Sequence, residues 1–162
     1  MDIGFLMEEL SCDDVIRCQK ARRSLVDMGH EAVPSLVEAL GSKRTWVRWE
    51  AAKALSQIGD PSATAALIKA LDDKEFDVRW LAAEGLAAIG KLAVIPLLQA
   101  LIDNPDSNWM REGVHHTLHD MERESWDQYL KPVMAALEDV QAGLEVPVAA
   151  KNAIDALKGI GF

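Results

Sequence analysis

Aromatic residues make up only 6% of this 162-residue chain, although 49% of it is hydrophobic. Ala and Leu fill the difference, and both suit close helix packing better than a sheet. Cysteine is scarce as well. Cys12 and Cys18, six residues apart, are too few for a disulfide framework and read as reduced thiols of a cytoplasmic protein. Positive charge falls short: 17 Lys and Arg face 26 Asp and Glu, a formal net charge of −9, which argues against a nucleic-acid backbone as a general ligand. No apolar run approaches the ~20 residues needed to span a bilayer. The opening MDIGFLMEEL carries acids where a signal peptide needs bases. There is no glycine-rich phosphate loop, no G-x-S-x-G and no Cys–His nucleophile pattern. Binding is therefore expected rather than catalysis, with no cofactor and with neither membrane nor nucleic acid as partner.

What the chain does have is a repeat. Val47 to Asp60 reads VRWEAAKALSQIGD, and Val78 to Gly90 reads VRWLAAEGLAAIG, 31 residues later. Internal periods of this size mark stacked helical or strand units. Counted from Val47, the apolar residues Ala51, Ala52, Ala54, Leu55 and Ile58 cover one broad face at 100° per residue. Gly59 supplies a stop, because glycine accepts the left-handed conformation after a helix end without a side-chain penalty. Asp60 and Pro61 then offer an N-cap and a first helical residue for a second helix ending near Leu71. The period predicts that Leu25, Leu55, Leu86 and Leu118 are buried, together with Leu40, Leu71 and Leu101.

Carried along the chain, the period divides it into a half-unit at 3–13, units at 14–42, 43–73, 74–104 and 105–142, and a terminal half-unit at 146–162. About ten helices are expected. Gly29, Gly59 and Gly90 end first helices. The fourth unit has Glu122 where a stop glycine belongs, and Ser125 to Gln128 restarts the chain as a capping box, S-x-x-Q. The helix after it, with Tyr129, Pro132 and Leu137, is expected to be longer than its equivalents. AGLEVP at 142–147 reads as a turn, and NAIDALKGIG, echoing EAAKALSQIG, as a last helix of the first type. Terminal units of such arrays are atypical, and this end is expected to be the less stable one.

The pattern VRxxAAxALxxIGD followed by AVPxLxxAL resembles the short HEAT repeat of the type named after phycobilisome lyases. AVPSLVEAL at 32–40 follows its second helix closely, and AVIPLLQAL at 93–101 does so with the proline one residue later. The resemblance implies an all-α fold, a right-handed α-solenoid of HEAT-like helix pairs with second helices on the concave side. It also implies a non-catalytic scaffold that binds a partner protein or peptide. The alternative it carries is a solenoid subunit of a phycobilin lyase or a related enzyme complex.

Stacking sets equivalent residues of successive units side by side, so candidate sites are sought along such rows. On the first helices, Trp49 and Trp80 share a position facing away from the apolar stripe, with Glu112 next in line. Trp46 and Trp109 share a flanking position. Either set offers a partner contact, a route to weak self-association, or a cover for the junctions between units. On the second helices Glu8, Glu38, Lys69 and Gln99 precede each closing Leu by two residues and would line the groove, with Glu38 and Lys69 as a weak cross-unit pair. His115, His116 and His119 have the only metal-like spacing. His115 and His119, four apart, would share a helix face and with Glu112 or Glu122 make a zinc set, but HExxH order is lacking. They read as ordinary surface or junction histidines. Arg17, Lys20, Arg22 and Arg23 form a basic cluster suited to solvent or to an acidic partner. His30-Glu31 resembles one of the His-Glu pairs that hold iron in HEAT-like deoxyhypusine hydroxylases. The matching positions here are Asp60-Pro61 and Lys91-Leu92, which rules that site out.

Overall fold

A computed structural model describes residues 2–121, 125–139 and 142–162. All its regular structure is helical among the described residues. The α-helices are α1 (Ile3–Leu10), α2 (Val15–Met28), α3 (Val33–Ala39), α4 (Thr45–Ile58), α5 (Thr64–Ala70), α6 (Phe76–Ile89), α7 (Lys91–Asp103), α8 (Asn108–Asp120), α9 (Lys131–Glu138) and α10 (Ala142–Gly159). Short 3-10 turns at Gly29–Ala32, Pro61–Ala63 and Ser125–Tyr129 lead into α3, α5 and α9. The chain is an α-solenoid. The first helices α2, α4, α6 and α8 pack in sequence as one row, and the second helices lie behind them.

The helix stops work as the sequence suggests. Gly29, Gly59 and Gly90 all have positive φ, at 61°, 64° and 71°. Gly59 is left-handed helical, with ψ 26°, while Gly90 has ψ −136°, a backbone region almost closed to any residue with a Cβ. Asp60 caps the next turn by accepting the amide of Ser62 at 2.8 Å. Its carboxyl is held down to about 2 by the Ser62 hydroxyl and amide and then by His30, whose Nδ1 is 2.7 Å away.

Each of the first helices α4, α6 and α8 is also tied to the loop before it. The arginine at its fourth residue donates to a carbonyl six residues back: Arg48 to Ser42 at 3.0 Å, Arg79 to Asp73 at 2.8 Å, and Arg111 to Pro105. Arg48 is buried and reaches the end of its own unit with a two-pronged bond to the Asp73 carboxylate, at 2.8 and 3.1 Å. That pairing holds the Arg48 guanidinium firmly charged.

One apolar core runs from Leu6 to Leu157 through every unit. Leu25, Leu55, Leu71, Leu86 and Leu101 have no exposed surface, and Leu118 is buried. Leu40 departs from the expectation. It is half-buried because it lines the open cleft beside Gly41, whereas Leu71, at the same cap position of α5, lies under Gly113 of α8 and is covered.

The C-terminal part differs most. AGLEVP is not a turn: α10 begins at Ala142 and carries Pro147 inside it. Val146, Ala150, Ala153, Ile154 and Leu157 are buried, and this helical stripe outweighs one amide lost at Pro147. Nor does α10 extend the row of first helices. It packs mainly against α7 and α9, filling the place beside α7 where a second helix belongs. The helix at Lys131–Glu138 has eight residues, longer than α3 and α5 at seven each but shorter than α7 at 13. Glu122 lies outside the described residues, and so does the Ser125 side chain of the capping box.

Candidate functional site

The four tryptophans at helix starts separate into two pairs. Trp46 and Trp49 both lie on α4 and stack on one another, ring centroids 5.5 Å apart and nearly parallel at 7°. Both are half-buried; Trp49 packs against the core, and the Arg22 guanidinium sits 5.8 Å from its ring. They cover the junction between the first two units. Trp80 on α6 and Trp109 on α8 are 45% and 42% exposed, and Phe76 beside them is 61% exposed. Trp49 and Trp80 form no ring pair among the described residues; each finds neighbours of its own.

The second set is a built cluster. The His116 ring from α8 lies 4.0 Å from Trp80, and Phe76, one helical turn before Trp80, lies 6.0 Å from it. The Trp80 indole N–H donates to Glu84 at 3.2 Å, and Glu84 in turn stands 3.8 Å from Lys53 on α4. Trp109 is held by a different device. No carboxylate occupies for Arg79 the place that Asp73 occupies for Arg48, since Asn104 and Pro105 fill it. The Arg79 guanidinium instead lies 4.5 Å over the Trp109 ring and 5.7 Å from Phe76. Together Phe76, Arg79, Trp80, Trp109, Glu112 and His116 line a cleft of about 150 Å³ between α6 and α8. Gly113 forms part of its wall and lets α8 come close to Leu71, which a Cβ there would meet at 2.8 Å. The sequence marked Trp80, Trp109, Glu112 and His116 but missed Phe76 and Arg79. The repetition of arginine after Val47 and Val78 was the available signal, and it pointed to a role the aromatic pattern hid.

The polar row on the second helices is exposed at Glu8, Glu38, Lys69 and Gln99. Glu38 and Lys69 line one cleft of about 380 Å³ with Asp72 and Asp73. They make no ion pair among the described residues, so the cross-unit pair expected between them is absent. Gln99 donates to Asp103 at 2.9 Å on its own helix.

The histidines stay close together but point at different partners. The His115 ring reaches toward Glu138 at 3.4 Å and stacks on His119 at 6.4 Å, His119 and His116 stand 2.9 and 3.5 Å from opposite oxygens of Asp120, and His116 also lies against Trp80. No group of three metal-ligating side chains converges among the described residues. The basic cluster is also dispersed: Arg17 pairs with Glu9, while Arg22 turns inward to Glu50 at 2.7 Å. No helix among the described residues is long and apolar enough to cross a membrane.

The profile of the family described as HEAT repeats matches residues 3–80 and 64–144. No curated protein sequence matches the chain. Among solved structures it is similar to an engineered protein of the Northeast Structural Genomics Consortium, at 21% identity and a TM-score of 0.49, covering 99% of this chain and 86% of that one. A second engineered protein from the same consortium shares 18% identity at a TM-score of 0.42, covering 98% and 99% of the two chains. A designed armadillo repeat protein shares 16% at 0.44, covering 96% and 100%. With two overlapping matches that run from residue 3 to residue 144, the chain belongs to the HEAT-repeat family.

Proposed function

We propose that this protein is a non-catalytic scaffold whose exposed aromatic face on α6 and α8 binds a partner protein. Its membership of the HEAT repeats supports the general role, since stacked helix pairs present extended surfaces to other chains. The observation that carries the site is the exposure of Phe76, Trp80 and Trp109 on adjacent helices. Exposed apolar surface costs solvation and is usually covered in use. Here the rings are also held in place: Glu84 fixes the Trp80 indole, and Arg79 fixes Trp109. Rigid Trp and Arg side chains lose little entropy on contact, which is why binding energy concentrates on them. Trp46 and Trp49 belong to the same row but serve chiefly the first junction. The groove with Glu38, Lys69 and Gln99 is the second place for a contact.

The test compares wild type with the Trp80→Ser, Trp109→Ser double variant. Each is used to capture partners from the native host, with the thermal midpoint measured alongside. An aromatic contact predicts a folded double variant whose partner affinity falls at least about 30-fold, as loss of a hot spot of about 2 kcal/mol implies. Equal capture by both proteins would remove the aromatic face, and the charge reversals Glu38→Lys and Lys69→Glu would then test the groove.

A further inference from the structure

The first junction contains a pair of thiols that the aromatic face does not use. In the second, third and fourth units the arginine near the start of the first helix donates to the carbonyl six residues back. In the first unit that position is Cys18. Its thiol makes the same connection, donating to the carbonyl of Cys12 at 3.0 Å. A short side chain in an arginine's place draws the loop close, and the Cys12 sulfur comes to rest 3.5 Å from the Cys18 sulfur. Cys12 sits half-exposed in the loop between α1 and α2, whereas Cys18 has no exposed surface. The loop is anchored from the second unit as well: Arg44 donates to the Ser11 carbonyl at 2.8 Å and to the Asp13 carboxylate at 2.7 Å. The two sulfurs are thus held together by the repeat's own geometry.

We propose that Cys12 and Cys18 are a reversible dithiol–disulfide site, oxidised by a low-molecular-weight disulfide of the glutathione type. Exposure sets the order of attack. The Cys12 thiolate attacks one sulfur of the oxidant, forming a mixed disulfide and expelling one small thiolate with its electron pair. Cys18 then loses its proton and attacks the Cys12 sulfur, which releases the second small thiol. In the balance the protein loses two hydrogens and the oxidant becomes two thiols. The sulfurs close from 3.5 Å to a bond of about 2.05 Å, and the new bond replaces the thiol–carbonyl tie at the same place in the loop. Burial pushes the Cys18 thiol upward, so the second step quickens as pH rises toward its ionisation.

The experiment treats the folded full chain with excess oxidised glutathione and follows intact mass and maleimide-reactive thiols. Wild type is expected to pass through a single glutathione adduct and finish two hydrogens lighter, with no reactive thiol and with full recovery on adding dithiothreitol. Cys18→Ser is expected to stop at one stable adduct on Cys12. Cys12→Ser is expected to leave Cys18 unmodified while circular dichroism shows it folded. A wild-type product that keeps one or two glutathiones, or one that never reacts, would overturn the proposal. So would modification of Cys18 in Cys12→Ser at the wild-type rate. The wild-type mass decides the matter even if a variant unfolds.

Discussion

The least expected residue in the core is Glu50. It has no exposed surface, its Oε2 is 2.7 Å from Arg22, and among the described residues neither its Oε1 nor the Arg22 Nε has a hydrogen-bond partner. Burial raises the Glu50 pKa, and Arg22 pulls it partly back. A raised folded pKa contributes stability that is fully present below the ordinary glutamate range and lost as pH climbs through the folded value. Arg22→Met removes the opposing pull and leaves the carboxylate alone in the core. The loss should be about 3–5 kcal/mol at neutral pH and should shrink as the pH is lowered and Glu50 takes up a proton. Urea unfolding at about pH 4.5, close to the ordinary glutamate value, and at about pH 7, well above it, measures both. The matching positions at the next junction are Ala52 and Leu81, both buried. Arg22→Met with Glu50→Leu should therefore be neutral or stabilising, as buried pairs replaced by apolar residues commonly are. Leu55→Ala, with no such compensation at a position without exposed surface, should cost about 2–5 kcal/mol in the same assay. Buried leucines were legible from the period alone. The Arg22–Glu50 pair was not, because a cluster of four basic residues looks like a solvated face until a partner 28 residues away is seen to lie opposite one of them.

At the scale of the element, a glycine every 30 or 31 residues told where first helices stop. It could not tell how each stop is shaped. Gly59 takes an ordinary left-handed geometry, which other residues tolerate at modest strain. Gly90, with φ 71° and ψ −136°, passes directly from α6 into α7 with no 3-10 turn between. Gly90→Ala should therefore lower stability by about 1–3 kcal/mol, more than Gly59→Ala, and comparing their thermal midpoints checks the order. The glycine stop is missing in α8, which ends at Asp120 with its cap residue Met121 extended. From there the sequence guided less well. Pro147 and Gly143 suggested a turn, and local punctuation was overridden by an apolar stripe that packs against α7 and α9, contacts no local pattern encodes. The candidate site divides the same way. Trp80 and Trp109 were visible as a recurring residue type. Phe76 and Arg79 joined them only because a missing carboxylate after α7 frees one arginine to lie on a ring.

For the whole molecule, the array principle says that units with one neighbour open more readily than units with two. Read from sequence, that places all of the C-terminal end in the weaker class. The packing divides it. Helix α9 buries Val133 and Ala136 and packs mainly against α8, α10 and the 3-10 turn before it. Helix α10 buries Val146, Ala150, Ala153, Ile154 and Leu157 and lies along α7, which is itself seated on α5, α6 and α8. The Phe162 ring closes over this end, edge-on to the buried Trp126 at 5.4 Å and with the Lys91 ammonium 4.5 Å from its face. Native-state hydrogen exchange should therefore find the amides of Ala150–Leu157 protected nearly as well as those of α4 and α6. The amides of α9 should exchange faster than both. Uniformly fast exchange across α9 and α10 would mean that α10 is not held against α7, and that the core ends at Leu118 rather than at Leu157.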